Sequence, residues 1–236
     1  MKLLSALLLL LVPLLASSQI LDCSDISRQN PSSPSGVYTI YPIGSTSGVQ
    51  VYCDMDSHGG KWTVFQRRMD GSVNFYRKWS DYKTGFGNPA GEYWLGLDIL
   101  YNLGRQKNFE LMVDMEDFEG NTAYAHYSPF NVGHELDGYP LYLPSYIGGG
   151  AGDTMTYLHL HKFATFDHYQ HIGTENCPEH FLGAFWFGPA CQYGNPNGVY
   201  TWGSEGTRYE VGVIWNSWKG SMYSLKAISM KIRPLE

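Results

Sequence analysis

The sequence predicts an α+β fold built of short antiparallel strands, a short helix and long ordered loops. Three observations lead there. Strand-like alternation recurs in separate stretches, most cleanly at residues 108–118, where Phe109, Leu111, Val113 and Met115 fall on one face and Glu110, Met112, Asp114 and Glu116 on the other. The composition is aromatic and rich in glycine, with 18 Tyr, 11 Phe, 7 Trp and 27 Gly, which suits rings packed against turns better than a helical bundle. Helical spacing is evident in one stretch, at Trp94, Leu95, Leu97, Ile99 and Leu100, with Gly104 as its terminator.

In chain order, residues 1–18, MKLLSALLLLLVPLLASS, read as a signal peptide. Lys2 supplies the positive start, Leu3 to Leu15 the apolar run, and Ala16-Ser17-Ser18 the small-residue cleavage pattern. The run is shorter than the roughly 20 residues a bilayer needs, and Pro13 interrupts it. No second run of spanning length follows, so no membrane anchor is expected and residues 19–236 should be secreted to the extracellular space or matrix. That length supports a real core in one large or two small domains. The formal charge of −6, one unit more negative once Lys2 is removed, argues against a nucleic-acid partner, which calls for a cationic stripe.

The polar stretch 19–36, with Pro31 and Pro34, reads as an extended lead-in tied down at Cys23. VYTIYP (37–42), VQVYCDMD (49–56) and KWTVFQRRMDG (61–71) alternate as strands, the last running into an Asp70-Gly71 turn. NTAYAHYSPF pairs with the 108–118 strand across Glu119-Gly120-Asn121. Residues 133–152 are mostly irregular, and 153–223 are aromatic, broken by glycine and nearly aperiodic. Such a segment needs ions, disulfides or stacked rings to order it, because its backbone groups lack ladders. SLKAISMKIRP (224–234) is a closing strand whose partner lies in the middle third of the chain.

Four cysteines, Cys23, Cys53, Cys177 and Cys191, allow three pairings. The sequence-local pairing would cut unfolded-chain entropy by about 3 kcal/mol per bridge. The CxxC spacing of a redox pair is absent, as is a tight zinc cluster. If both pairs form, no thiol is left to link subunits, and a homo-oligomer would be non-covalent. GxSxG, HExxH and a glycine-rich phosphate loop are all missing, so no enzyme is expected.

Several motifs carry a more specific signal. CDMDSHGGKWTVFQRR, GEYWLGL, GAFWF ahead of a cysteine, NPNGVY and WNSWKGSMYSLKAISMKIRP occur in this order. Together they resemble the fibrinogen C-terminal domain over residues 22–235. The resemblance implies a small N-terminal sheet stapled by Cys23–Cys53 (about 22–65), a central antiparallel sheet (66–152 plus 224–235), and a loop-rich region (153–223). The last would hold Cys177–Cys191, a calcium ion and the ligand pocket. It further implies a non-catalytic matrix or microfibril-associated protein of elastic fibres, binding elastin, fibrillin or collagen and glycans. The alternative is a ficolin-like innate-immune lectin for N-acetylated sugars.

Carried over residue by residue, the calcium loop falls at Asp167, Tyr169, His171 and Gly173. Tyr169 stands where the family has a second Asp. A phenol is a poor ligand for an ion that wants 6 to 8 hard oxygens, so calcium should bind weakly or not at all. His159, His161, His168 and His171 cluster nearby; a strand through YLHLH would put the first two on one face, but surface histidines are the expectation. The ligand pocket maps to a cis Ala190-Cys191 bond, to Gln192 in place of a His, to Phe187, Tyr193 and Tyr200 as walls, and to Asn197 as a polar contact. Val211 and Ile214 replace amides of the family pattern. There is no Asn-x-Ser/Thr acceptor and no Arg-Gly-Asp triplet.

Overall fold

The computed structural model describes residues 19–170, 176–188, 191 and 193–235. Its first element corrects the reading of an extended lead-in: Cys23–Gln29 is a helix, α1. Asp22 caps it, accepting from the backbone N–H groups of Ser24 and Asp25, an arrangement worth about 1 kcal/mol. Its buried apolar contacts, Cys23 and Ile26, lie one turn apart. Two such residues in a polar stretch make too weak a period to announce a helix. The Cys23–Cys53 disulfide, with S–S 1.97 Å, fastens α1 to the sheet.

Strands β1 (Gly36–Ile40), β2 (Val49–Asp54) and β3 (Trp62–Arg68) follow. Then come α2 (Trp79–Thr84), the short strands β4 (Phe86–Gly87) and β5 (Tyr93–Trp94), α3 (Leu97–Gly104), and the hairpin β6 (Phe109–Glu116) and β7 (Thr122–Val132). Beyond β8 (Leu141–Tyr142) and β9 (Tyr146–Gly148) the regular pieces shrink to α4 (Cys177–His180), β10 (Gly194–Asn195), β11 (Ile214–Trp215) and α5 (Asn216–Lys219). β12 (Ala227–Pro234) closes the fold. YLHLH is not a strand. Thr156–Leu158 forms a single 3-10 turn, so period-2 placement of His159 and His161 does not apply.

The main sheet has the order β1-β2-β3-β12-β6-β7-β8, with antiparallel neighbours. β12 lies in its middle. It pairs with β6 from Ala227↔Glu116 to Pro234↔Phe109 and with β3 on its other side. The N-terminal strands and the central sheet therefore share β3 and form one surface. Phe109, Leu111, Val113 and Met115 are buried, as the alternation requires. On the opposite face Lys231 is 0% exposed, its ammonium held by Asp54 at 2.7 Å and by Asp114 and Ser57. Asp114 also meets His58 at 2.9 Å, and Glu116 pairs with Lys226, so neither acid is merely solvated. Burial works against the charge of Asp54, but hydrogen bonds from Lys231 and Ser57 outweigh it and hold its carboxyl down at about 2.

α3 begins later than the apolar run suggested. Tyr93 and Trp94 pair with Arg67 and Gln66 of β3, and Gly96, at φ 111°, breaks the chain before Leu97. A Cβ at Gly96 would sit 2.9 Å from the Thr84 carbonyl carbon, so the break requires glycine. Leu97, Leu100 and Leu103 then face the core. Trp94, Phe163 and Trp186 meet there with ring centroids 5.0 to 6.2 Å apart, and Trp186 Nε1 donates to the Tyr139 carbonyl at 2.7 Å.

Candidate functional site

The loop-rich region is seated on β3 by two buried side chains. Gln66 Nε2 donates to the Pro196 carbonyl and to Asn197 Oδ1, both at 3.1 Å. Arg68 Nη1 donates to the carbonyls of Pro196 at 3.2 Å and Gly198 at 2.7 Å. Glu92, 3.6 Å from Arg68 Nε, accepts from the N–H groups of Met69, Asp70 and Gly71. The backbone carbonyls of this aperiodic segment thus find partners in the sheet's own side chains.

In the expected calcium loop, Asp167 Oδ1 accepts from Trp79 N–H at 2.9 Å and from Thr165 Oγ1 at 2.8 Å. The His168 ring lies on Trp79, centroids 4.1 Å apart, and Gln170 Nε2 donates to the Phe163 carbonyl. Between residues 167 and 170 Asp167 is the one carboxylate, with one oxygen already shared by two donors. Those four residues bring one carboxylate to a loop meant for an ion that wants 6 to 8 oxygens. His171 and Gly173 lie outside the described residues. Among the described residues no three His, Cys, Asp or Glu side chains group to hold a metal. His159 Nδ1 accepts from Leu143 N–H at 3.0 Å, and burial pushes His161 below its usual value.

The residues assigned to the ligand pocket divide into three settings. Cys191 is bonded to Cys177, with S–S 1.94 Å. Cys191 and Tyr193 both have positive φ, 56° and 92°, a conformation that non-glycine residues adopt at a cost. Tyr193 turns its ring outward, 37% exposed, and stacks on Tyr157, 61% exposed, with centroids 4.8 Å apart and planes at 12°. Phe187 and Asn197 are interior, and Asn197 Nδ2 donates to the Ala184 carbonyl at 2.9 Å. Tyr200 sits elsewhere: its hydroxyl donates to the Lys226 carbonyl at 2.8 Å and its ring covers Gly71, where a Cβ would be 2.8 Å away. Ala190, Gln192 and the Ala190-Cys191 bond lie outside the described residues. Val211 and Ile214 are buried. Sequence reasoning misses Tyr157, because the apparent periodicity of YLHLH hides a turn residue pointing outward.

A trough of about 610 Å³ opens on the sheet's outer face, lined by His58, Arg67, Met69, Asp114, Glu116 and Tyr124 among others. It shares no residue with the expected pocket.

This architecture, an antiparallel sheet and a loop-rich region with a bridge in each, is the α+β fold of a fibrinogen C-terminal-like domain. The chain matches the family described as "Fibrinogen beta and gamma chains, C-terminal globular domain" over residues 19–235 and belongs to that family. It is 51% identical over 220 residues to microfibril-associated glycoprotein 4 of Mus musculus, covering 91% of this chain and 84% of that protein. The Homo sapiens protein of the same name is 50% identical over 220 residues, covering 91% and 85%. Among solved structures, the fibrinogen-like globe domain of human ANGPTL6 superposes with a TM-score of 0.86 at 42% identity, covering 91% of this chain and 95% of that one. No helix among the described residues is long and apolar enough to cross a membrane.

Proposed function

We propose that this chain is a secreted, non-catalytic protein of the extracellular matrix that binds elastin, fibrillin or collagen through its loop-rich region, residues 153–223. The observation that carries this reading is the likeness to microfibril-associated glycoprotein 4 across most of both chains. The contact face is centred on Tyr193 and Tyr157 next to Cys191, with Ala190 and Gln192 its sequence neighbours. Phe187 and Asn197 back it from the interior, and Tyr200 anchors the loop to the sheet. Exposed rigid aromatic rings contribute contact area at low entropic cost and dominate many interfaces.

Immobilised elastin, fibrillin and collagen, probed with the purified protein, test the reading. Saturable binding to at least one, weakened about tenfold or more by Tyr193→Ala, is expected; no binding to any of the three would sink it. The lectin reading has one observation in its favour, the exposed stacked rings beside the second disulfide, a surface a sugar can lie against. Binding of N-acetylated sugars on a glycan array, with none to the matrix proteins, would make it the better one.

A further inference from the structure

Among the described residues five acids are buried: Asp22, Asp25, Glu92, Asp117 and Glu210. Four have a cation close by. Lys107 lies 2.6 Å from Asp22 and 3.1 Å from Asp25, Lys219 lies 2.9 Å from Asp117, and Arg68 lies 3.6 Å from Glu92. Glu210, 1% exposed, differs. Its Oε1 accepts from Ser221 Oγ at 2.5 Å and from Asn216 Nδ2 at 3.3 Å, both neutral, and its Oε2 has no hydrogen-bond partner among the described residues.

The backbone gives Glu210 no easy way out. Its N–H donates to the Ser221 carbonyl at 2.8 Å, its own carbonyl accepts from Asn195 Nδ2 at 3.1 Å, and its φ is 55°. Charged and titratable groups of the surrounding elements are turned elsewhere. Arg208 lines a surface hollow with Glu179 and His180 of α4, Tyr209 is 52% exposed, and Lys219 of α5 is spent on Asp117 and Glu119. β10 contributes the neutral Asn195, and β11 contributes Trp215, whose Nε1 is also without a partner among the described residues.

We propose that Glu210 is a proton switch of the loop-rich region, under-bonded when ionised and clamping residues 208–221 when it takes up a proton. An ionised carboxylate only accepts, whereas the protonated group both donates and accepts. Burial without a countercharge favours the neutral form. It pushes the Glu210 carboxyl above its usual value, with hydrogen bonds from Ser221 and Asn216 pulling the other way. A carboxyl raised in the folded state adds stability when protonated; that stability is complete below the ordinary carboxylate value and fades as pH rises through the folded value. The clamp reaches the exposed rings, because Asn216 N–H donates to the Tyr193 carbonyl at 3.4 Å. The proposal does not depend on what those rings bind.

Hydrogen exchange decides it, with intrinsic rates corrected and the β6–β7 hairpin as internal reference. In the unmodified protein, residues 208–221 should gain protection as the pH is lowered from about 7.5 to about 4.5, the ordinary carboxylate value. In Glu210→Gln, neutral at every pH, they should be protected alike at both, and the variant should melt about 2–4 °C above the unmodified protein at pH 7.5, the gap closing on acidification. Protection that ignores pH in the unmodified protein overturns the proposal. So does a pH-dependent gain that survives in the variant. Should the variant fail to fold, the unmodified protein's exchange profiles at the two pH values still separate a switch from an inert acid.

Discussion

The central sheet and the loop-rich region of this molecule are ordered by different means. In the sheet, β12 and its neighbours satisfy one another's backbone groups along continuous ladders, and alternating side chains fill the core on one face. Between residues 153 and 223 the ladders are brief, and the backbone is held by side chains reaching in, such as Gln66 and Arg68 from β3 and Asn195 within the segment. A ladder is cooperative, so damage at one position is felt along the strand. An array of separate side-chain bonds can lose one member and open locally.

The strongest test of that contrast removes a core side chain from the strand that both halves of the sheet share. Ile232→Ala should cost about 2–5 kcal/mol, seen as a lower denaturant midpoint for the whole domain in one transition, because Ile232 is 1% exposed in the middle strand. A biphasic transition would break the comparison, showing that the sheet does not unfold as a unit.

Breaking the second bridge is the matching test on the loop side. Replacing Cys177 and Cys191 together with Ser removes a closure of 14 residues, with an expected cost of about 3 kcal/mol in the chain-entropy account. The loss should be regional: exchange protection falls around residues 177–195 while the β6–β7 hairpin keeps its own. Uniform loss across the hairpin as well would merge the two regions into one cooperative body.

How far each region can be read from the sequence follows the same divide. The hairpin of residues 109–132 and the closing strand are visible because their side chains alternate, and alternation is a property of the strand itself. α1 is not, since its cap and two buried apolar residues, Cys23 and Ile26, gain meaning only against the sheet they touch. In the loop region the family motifs locate Cys191, Tyr193, Asn197 and Tyr200. Yet nothing local distinguishes the outward Tyr193 from Tyr200, which is spent on Lys226, or shows that Asn197 serves Gln66 and Ala184. Such roles are set by neighbours in space, Gln66 among them at more than a hundred positions away, beyond the reach of any periodicity. Glu210 escapes notice for the same reason, since burial of a lone acid in an aperiodic stretch leaves no local pattern.

The smallest effect concerns calcium. With Asp167 already bonded to Trp79 and Thr165, and Tyr169 in place of a second acid, chelator should shift the stability by less than about 0.5 kcal/mol at millimolar calcium. Thermal melts with and without chelator measure it. Tyr169→Asp should enlarge the response. A tight stoichiometric site in calorimetric titration of the unmodified protein would show that oxygens from outside residues 167–170 complete the shell, and would give the loop region an ionic fastening beside its side-chain bonds.

The place of β12 has a consequence for how the protein is made. Its partners β3 and β6 are synthesised long before it, and without residues 227–234 they face each other across a gap one strand wide. A chain emerging vectorially therefore carries two open strand edges, and Asp54 and Asp114 lack the Lys231 ammonium until β12 arrives. Unpaired edges invite pairing with other chains. Biogenesis of this domain is thus most exposed to misassembly in the interval before its final strand is delivered.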